Sequence, residues 1–252
     1  MIVFYFTSTG NSLEVAKRIG GEIYSIPQVL KGDKFEFEDE QIGIIFPTYM
    51  FSAPELVYEF LNKVKFKTSY FFAIATYGNT NGGVVDHFLK MARRNGLEPK
   101  YANSILMIDN SLSLFDMSKE VANIHKKNTE ENIKKIVDDI NNKKEQLHTS
   151  NFVMKNISNI TYNIQLRMQK SNYKQFTIED NCIKCETCKK ICPKGNIIIN
   201  GRVLIGSNCI GCYACTQNCP VNAIRVKREK SKDRYRNKNV TVKEIMDSNN
   251  QT

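Results

Sequence analysis

CIKCETCKKICP runs from Cys182 to Pro193, and CIGCYACTQNCP from Cys209 to Pro220. Both read C-x-x-C-x-x-C-x-x-x-C-P, and together they hold all eight Cys of the 252-residue chain. The second copy starts 27 residues after the first, at 209 against 182, and Ile183/Ile210, Pro193/Pro220 and Ile197/Ile224 keep that offset. This is an internal repeat of a small metal-binding unit. Three Cys at two-residue intervals let one loop wind around a cubic cluster, each thiolate taking one iron corner. Zinc modules instead place Cys in separate pairs, without a third at the same interval and a C-P after it. Disulfides need an oxidising compartment, and the opening MIVFYFT lacks the basic region and cleavage site of an export signal. The pattern points to [4Fe–4S] clusters in a reducing cytoplasmic setting. A unit this short has a meagre core and relies on its clusters as the staple.

Upstream of the repeat the pattern changes. Ile2 to Phe6 is a short apolar run that suits a parallel strand buried on both faces. The loop Thr7, Ser8, Thr9, Gly10, Asn11, Ser12 follows, then a helical pattern with Leu13, Ala16 and Ile19 on one face. Asn11 and Glu14 have the spacing of a capping-box variant, and Gly20-Gly21 ends the helix. A strand, a hydroxyl-rich loop and a helix N-terminus make an anion site, because backbone N–H groups and the helix dipole converge on it. A Walker loop would need a lysine here, and a dinucleotide fingerprint three spaced glycines. Further strands are expected at Glu22–Ile26, Ile42–Phe46, Tyr70–Ala75 and Ser104–Ile108. Helices are expected at Ala53–Val64, up to Asn95, and at Glu130–Leu147. Five strands alternating with helices predict an α/β fold with a doubly wound parallel sheet. The loop after the third strand carries Pro47, Thr48, Tyr49, Met50 and Phe51. The loop after the fourth carries Thr76, Tyr77, Gly78 and Asn79, then Gly82-Gly83. Asp109–Phe115 is a long loop with no feature that fixes its course.

The formal net charge is +10, placed unevenly: residues 1–150 hold 18 Lys+Arg against 19 Asp+Glu, and residues 151–252 hold 18 against 7. Two oxidised clusters with their thiolates add about −2 each and a flavin phosphate about −2 more, so the loaded protein sits near +4. Arg225–Lys238 holds 8 Lys+Arg and 2 Asp+Glu, which reads first as a solvated basic tail and second as a surface for acidic redox partners. Nucleic acid is disfavoured, since Tyr235 is the one aromatic there for base stacking. Val240–Met246 reads as a final short helix that packs back on the fold. No apolar run reaches the ~18 residues of a membrane helix. Val153, Ile157, Ile160 and Ile164 recur at helical spacing between the halves, with Lys155, Arg167 and Lys170 interspersed, and predict a docked amphipathic helix. His87, His125 and His148 have no partner pattern and read as structural or surface residues.

The loop Thr7–Ser12 resembles the flavodoxin phosphate loop, T/S-x-T-G-x-T/S, and Ile178–Val226 resembles a bacterial two-cluster ferredoxin. The whole chain is similar to a flavodoxin–ferredoxin fusion, the family labelled EFR-type ferredoxins in anaerobes. The resemblance implies a flavodoxin-like five-stranded sheet of order 2-1-3-4-5, with ligand at the switch between strands 1 and 3, and a small α+β ferredoxin-like domain. It implies FMN, with its phosphate on Thr7–Ser12. Tyr49, Met50 or Phe51 would lie against one ring face, Tyr77 near the other, and Gly78 and Asn79 at the ring edge. It also implies crossed ligation: Cys182, Cys185 and Cys188 share a cluster with Cys219, while Cys209, Cys212 and Cys215 share one with Cys192. Asn196 departs from the family's usual small residue and is expected to matter little. The expected layout is 1–150 FMN-binding, 151–176 helical linker, 177–226 two-cluster ferredoxin and 227–252 basic tail. The function implied is electron transfer between the clusters and FMN. The alternatives are a flavin reductase with a small organic acceptor, or a redox sensor or nucleic-acid binder using the tail.

Overall fold

A computed structural model describes residues 1–169 and 171–249. Six parallel strands form the central sheet: β1 (Ile2–Tyr5), β2 (Glu22–Ser25), β3 (Gln41–Pro47), β4 (Tyr70–Tyr77), β5 (Pro99–Leu106) and β6 (Gln146–Leu147). Their order is β2-β1-β3-β4-β5-β6, and every adjacent pair runs parallel. The expected flavodoxin-like order is therefore present, with a sixth strand at one edge. That strand lies inside the stretch expected to be helix. The helix stops at Asn141, because Lys143 takes φ +49° and turns the chain back. Gln146–Leu147 then pairs with Tyr101–Ala102. β5 also starts earlier than expected, since Lys100 and Asn103 break its apolar pattern although Tyr101 and Ala102 are fully buried.

Helices α1 (Asn11–Ile19), α2 (Glu55–Lys63), α3 (Val84–Arg94) and α4 (Thr129–Asn141) cover the sheet, with α1 against α4 and α2 against α3. Strands β1 and β3 are apolar on both faces because both faces are covered. Phe4, Phe46, Phe60, Phe72 and Phe88 are buried to 1% exposure or less. Burial of each such side chain is worth about 1.5–3 kcal/mol. A separate parallel pair, Glu36–Glu38 with Lys65–Lys67, was not visible in the sequence. It is laced by Lys65–Glu36 and Lys67–Glu38 ion pairs at 3.0 and 2.5 Å.

The linker is helix α5 (Phe152–Gln169), docked on α3. Its docked face is not the apolar one. Ser158 and Gln165 are buried, and Ser52 Oγ donates to Gln165 Oε1 at 2.7 Å. The Tyr162 ring packs edge-on against Tyr58 and beside His87. Ile160 and Ile164 are exposed. The placements of Lys170 and of the Val153 and Lys155 side chains lie outside the described residues. His87 is buried within this aromatic cluster, 2.5 Å from the Tyr58 hydroxyl, and burial lowers its pKa to about 4, so it is neutral at pH 7.

The C-terminal third folds as two antiparallel pairs: β7 (Phe176–Ile178) with β10 (Ile224–Val226), and β8 (Ile197–Asn200) with β9 (Arg202–Ile205). The last stretch is not a solvated tail. Residues 235–240 lie across the Thr7–Ser12 loop, and helix α6 (Val242–Asn249) packs against the first half with Ile245 fully buried. One continuous apolar core joins both halves.

Candidate functional site

The two cysteine runs fold alike. Each contains a short helical turn, Thr187–Lys190 and Ala214–Gln217, that carries the third Cys of its run. Each turn is entered through a residue at positive φ, Glu186 and Tyr213. The fourth Cys of each run accepts a backbone N–H four residues on: Asn196 N to Cys192 Sγ at 3.3 Å, and Ala223 N to Cys219 Sγ at 3.2 Å. These bonds are related by the 27-residue repeat, at 223 against 196.

Two cavities result. Cys182, Cys185, Cys188 and Cys219 line one of about 310 Å³, with Ile183, Val203 and Ile224. Cys192, Cys209, Cys212 and Cys215 line another of about 350 Å³, with Phe176, Ile205 and Tyr213. Each cavity takes three Cys from one run and the last Cys of the other. Burial raises the Cys188 thiol to about 11, and raises Cys212 and Cys215 further, next to their neighbouring sulfurs. Four sulfurs facing an apolar cavity ionise only if a cationic group meets them, as bound iron does. Each cavity thus presents four thiols, the donor set that an iron–sulfur cluster takes.

Asn196 has a larger part than expected. Its Nδ2 donates to Gly206 O at 2.7 Å, and its Oδ1 accepts from Asn208 N at 3.1 Å. It therefore pins the turn that leads into Cys209. A single departure from a family pattern gave no sign of this, because its partners lie ten and twelve residues away.

The N-terminal site forms at the strand switch. Thr7, Ser8, Thr9, Asn11, Ser12, Pro47, Thr48, Thr76, Tyr77 and Gly78 line a cavity of about 350 Å³. Ile108, Asp109 and Asn110 complete it. The long loop after β5 thus reaches the site, and Asn110 Nδ2 donates to Ser8 Oγ at 2.9 Å. Gly10, Tyr49, Met50, Phe51 and Asn79 lie outside the lining of this cavity. Met50 is 41% exposed, and the Phe51 ring sits against Gly82.

Thr7, Ser8, Thr9, Asn11 and Ser12 are buried. Within the loop Gly10 N donates to Thr7 Oγ1 at 3.1 Å, and Asn11 and Ser12 open helix α1. The Thr48 hydroxyl is buried with no partner. A buried hydroxyl without a partner, beside hydroxyl side chains at a helix N-terminus, suits an anion such as a phosphate. Gly10, not Asn11, caps α1: it stands at φ +98° and makes no side-chain bond. The capping box does not form. The Asn11 side chain instead donates to Ile108 O at 3.0 Å and accepts from Tyr235 Oη at 2.8 Å.

The C-terminal strap closes over this loop. Asn237 N donates to Thr9 O at 2.8 Å, and Asn249 Nδ2 donates to Thr7 O at 3.0 Å. A Cβ on Gly10 would lie 2.9 Å from Val240 Cβ, so only glycine lets the strap approach.

The second cysteine run reaches the same loop. Asn218, beside Cys219, donates through Nδ2 to Ser8 O at 3.2 Å, and Gln217 Nε2 donates to Asn110 O at 2.9 Å. The buried Tyr49 hydroxyl donates to Ser8 Oγ at 3.4 Å. Burial pushes that hydroxyl well above its ordinary range, reinforced by the adjacent Cys212 and Cys209 sulfurs. A wider cleft of about 1420 Å³, lined by Ile108, Val121, Ile124, Tyr235 and Arg236 among others, opens on the far side of Ile108.

The profile of one protein family, 4Fe-4S binding domain (Fer4), matches residues 203–225. That stretch contains Cys209, Cys212, Cys215 and Cys219, so the second cysteine run is similar to iron–sulfur domains. No curated protein matches the chain. Among solved structures, the chain is similar to a flavoprotein in complex with FMN from Lactobacillus acidophilus NCFM, at 15% identity and a TM-score of 0.31. That match covers 41% of this chain and 91% of the other. It is also similar to the Trp repressor binding protein from Bacillus subtilis, at 13% identity and a TM-score of 0.31, over 50% of this chain and 92% of the other. The fold rests on the strand order, which is flavodoxin-like on its own. No helix among the described residues is long and apolar enough to cross a membrane.

Proposed function

We propose that this chain is an electron-transfer oxidoreductase of the flavodoxin–ferredoxin fusion type, passing electrons between two [4Fe–4S] clusters and a bound FMN. The observation that carries the reading is the contact of the second cysteine run with the N-terminal site, through Asn218–Ser8 and Gln217–Asn110. Cys182, Cys185, Cys188 and Cys219 would hold one cluster, and Cys192, Cys209, Cys212 and Cys215 the other. The N–H groups of the Thr7–Ser12 loop would hold the phosphate. Thr48, Tyr77, Gly78, Asp109 and Asn110 would border the ring.

When bound, a flavin takes one or two electrons and each cluster takes one, so the set joins one-electron to two-electron chemistry. The chain's own residues set distance and environment. Asn196 N and Ala223 N donate to Cys192 and Cys219 sulfurs and favour the reduced, more negative state. The strap over Thr7–Gly10 keeps water from the loop. Fusion replaces a bimolecular encounter with a high effective concentration. The partners would be redox proteins, acidic ones included, and the setting the cytoplasm.

Anaerobically purified protein tests this by quantified iron, sulfide and flavin together with an EPR spectrum. About eight irons and one flavin per chain are expected. Zinc in proportion to the thiols, or a chain that takes up no flavin, overturns the reading. A second reading, a reductase for a small organic acceptor, is favoured by the wide cleft beyond Ile108. It requires turnover with such an acceptor.

A further inference from the structure

Gln217 and Asn218 lie between Cys215 and Cys219, and those two cysteines line different cavities. Both intervening side chains are buried, and both bond residues of the first half. The Gln217 carboxamide is engaged at both ends: Nε2 donates to Asn110 O at 2.9 Å, and Oε1 accepts from Tyr235 N at 2.8 Å. Asn110 lines the N-terminal cavity and donates to Ser8 Oγ. Tyr235 holds Asn11, whose Nδ2 donates to Ile108 O. Ser8, Asn11 and Ile108 line the same cavity. Asn218 Nδ2 is shared between Ala214 O at 2.9 Å and Ser8 O at 3.2 Å. One side chain thus ties the loop after β5 and the C-terminal strap to a segment with a cysteine at each end. The first copy of the repeat lacks this device. Twenty-seven residues earlier stand Lys190, which is exposed, and Ile191, which is fully buried, and neither carries a carboxamide.

Resting on the relay reading above, we infer that Gln217 is a positioning residue that couples flavin binding to cluster assembly. The N-terminal site takes FMN tightly only when Cys215 and Cys219 are each held by a cluster. Thiols around an apolar cavity gain their fixed arrangement from the metal that they bind, so metal binding is folding energy for the segment between them. With both ends of that segment fixed, the carboxamide meets Asn110 O and Tyr235 N without further ordering. With the ends free, the same bonds must offset the entropy of ordering the segment, and a net worth of about 1 kcal/mol each does not suffice. The cavity walls at 108–110 and the strap at 235–237 then lose their common anchor. Coupling between two binding sites is reciprocal, so bound FMN holds the clusters by the same factor.

The test measures the dissociation constant of FMN, by the quenching of its fluorescence, on the full chain under anaerobic conditions before and after its clusters are removed with a chelator. Wild type, Gln217→Met and Lys190→Met are compared. Methionine keeps the length of the glutamine side chain and removes its donor and acceptor. In the wild type, cluster removal should weaken FMN binding at least tenfold. Loaded Gln217→Met should bind FMN at least fivefold more weakly than loaded wild type, at unchanged iron content and cluster absorbance. Removing its clusters should weaken binding less than threefold further. A merely structural role would lower both affinities alike and leave their ratio at the wild-type value. Lys190→Met, at the equivalent place in the first copy, should keep both affinities within twofold of wild type.

A wild-type ratio below twofold, a Gln217→Met ratio equal to that of the wild type, or the same loss in Lys190→Met overturns the inference. Should cluster removal unfold the whole chain, seen by circular dichroism, the loaded Gln217→Met and Lys190→Met chains carry the comparison, and equal FMN affinity in the two overturns it. A chain that binds no FMN in any form overturns the relay reading and this inference with it, whereas FMN affinity indifferent to the clusters overturns the coupling alone.

Discussion

At the residue scale, ligand chemistry leaves the clearest trace in a sequence. Thiolates around a cluster need fixed spacing, and a phosphate loop needs glycine and hydroxyls at fixed offsets, so the sequence singles out the cysteines and Thr7–Ser12 as candidates, and the structure gathers each set around a cavity. The residues that hold those groups in place are not singled out, because their partners are distant in the chain. Asn11 fits a local capping pattern, yet it bonds Ile108 and Tyr235, 97 and 224 residues away. Asn196 is the sharper case, since it fixes both Gly206 and Asn208 ahead of Cys209. Asn196→Ala leaves one carbonyl and one N–H without these partners, at a cost of about 1–3 kcal/mol. The variant should lose iron from the second run faster than the wild type on exposure to air, followed by the decay of cluster absorbance. A decay rate equal to the wild type would mean that the turn is held by other contacts.

At the scale of elements, periodicity located five strands and four covering helices, because burial on both faces imposes continuous apolar runs. It missed β6, whose two residues are too few to carry a period, and it misjudged α5. There the apolar residues at 160 and 164 face solvent, while Ser158 is buried and Gln165 and Tyr162 make the contact with Ser52 and Tyr58. The basic composition of residues 225–238 concealed the strap, since Tyr235, Asn237 and Val240 are buried between exposed lysines and arginines. The strap also closes the first half through Tyr5 Oη, 2.6 Å from Ser248 Oγ. A chain ending at Arg234 should keep its iron and bind FMN at least tenfold more weakly, measured by the recovery of free-flavin fluorescence. Unchanged FMN affinity would show that the strap does not support the loop.

At the scale of the whole molecule, the order of parts in the sequence conceals their adjacency. Residue 8 touches residue 218, and residue 110 touches residue 217. Neither contact follows from two separately recognisable halves, because nothing in either half specifies the face that it offers the other. Relayed transfer within one chain depends on that adjacency. Laser-flash photoreduction of the loaded protein, followed at cluster and flavin wavelengths over a range of protein concentrations, tests it most directly. Cluster reduction should be followed by flavin reduction at a rate independent of protein concentration. A flavin rate that rises in proportion to concentration, or a flavin that stays oxidised beside reduced clusters, would contradict it.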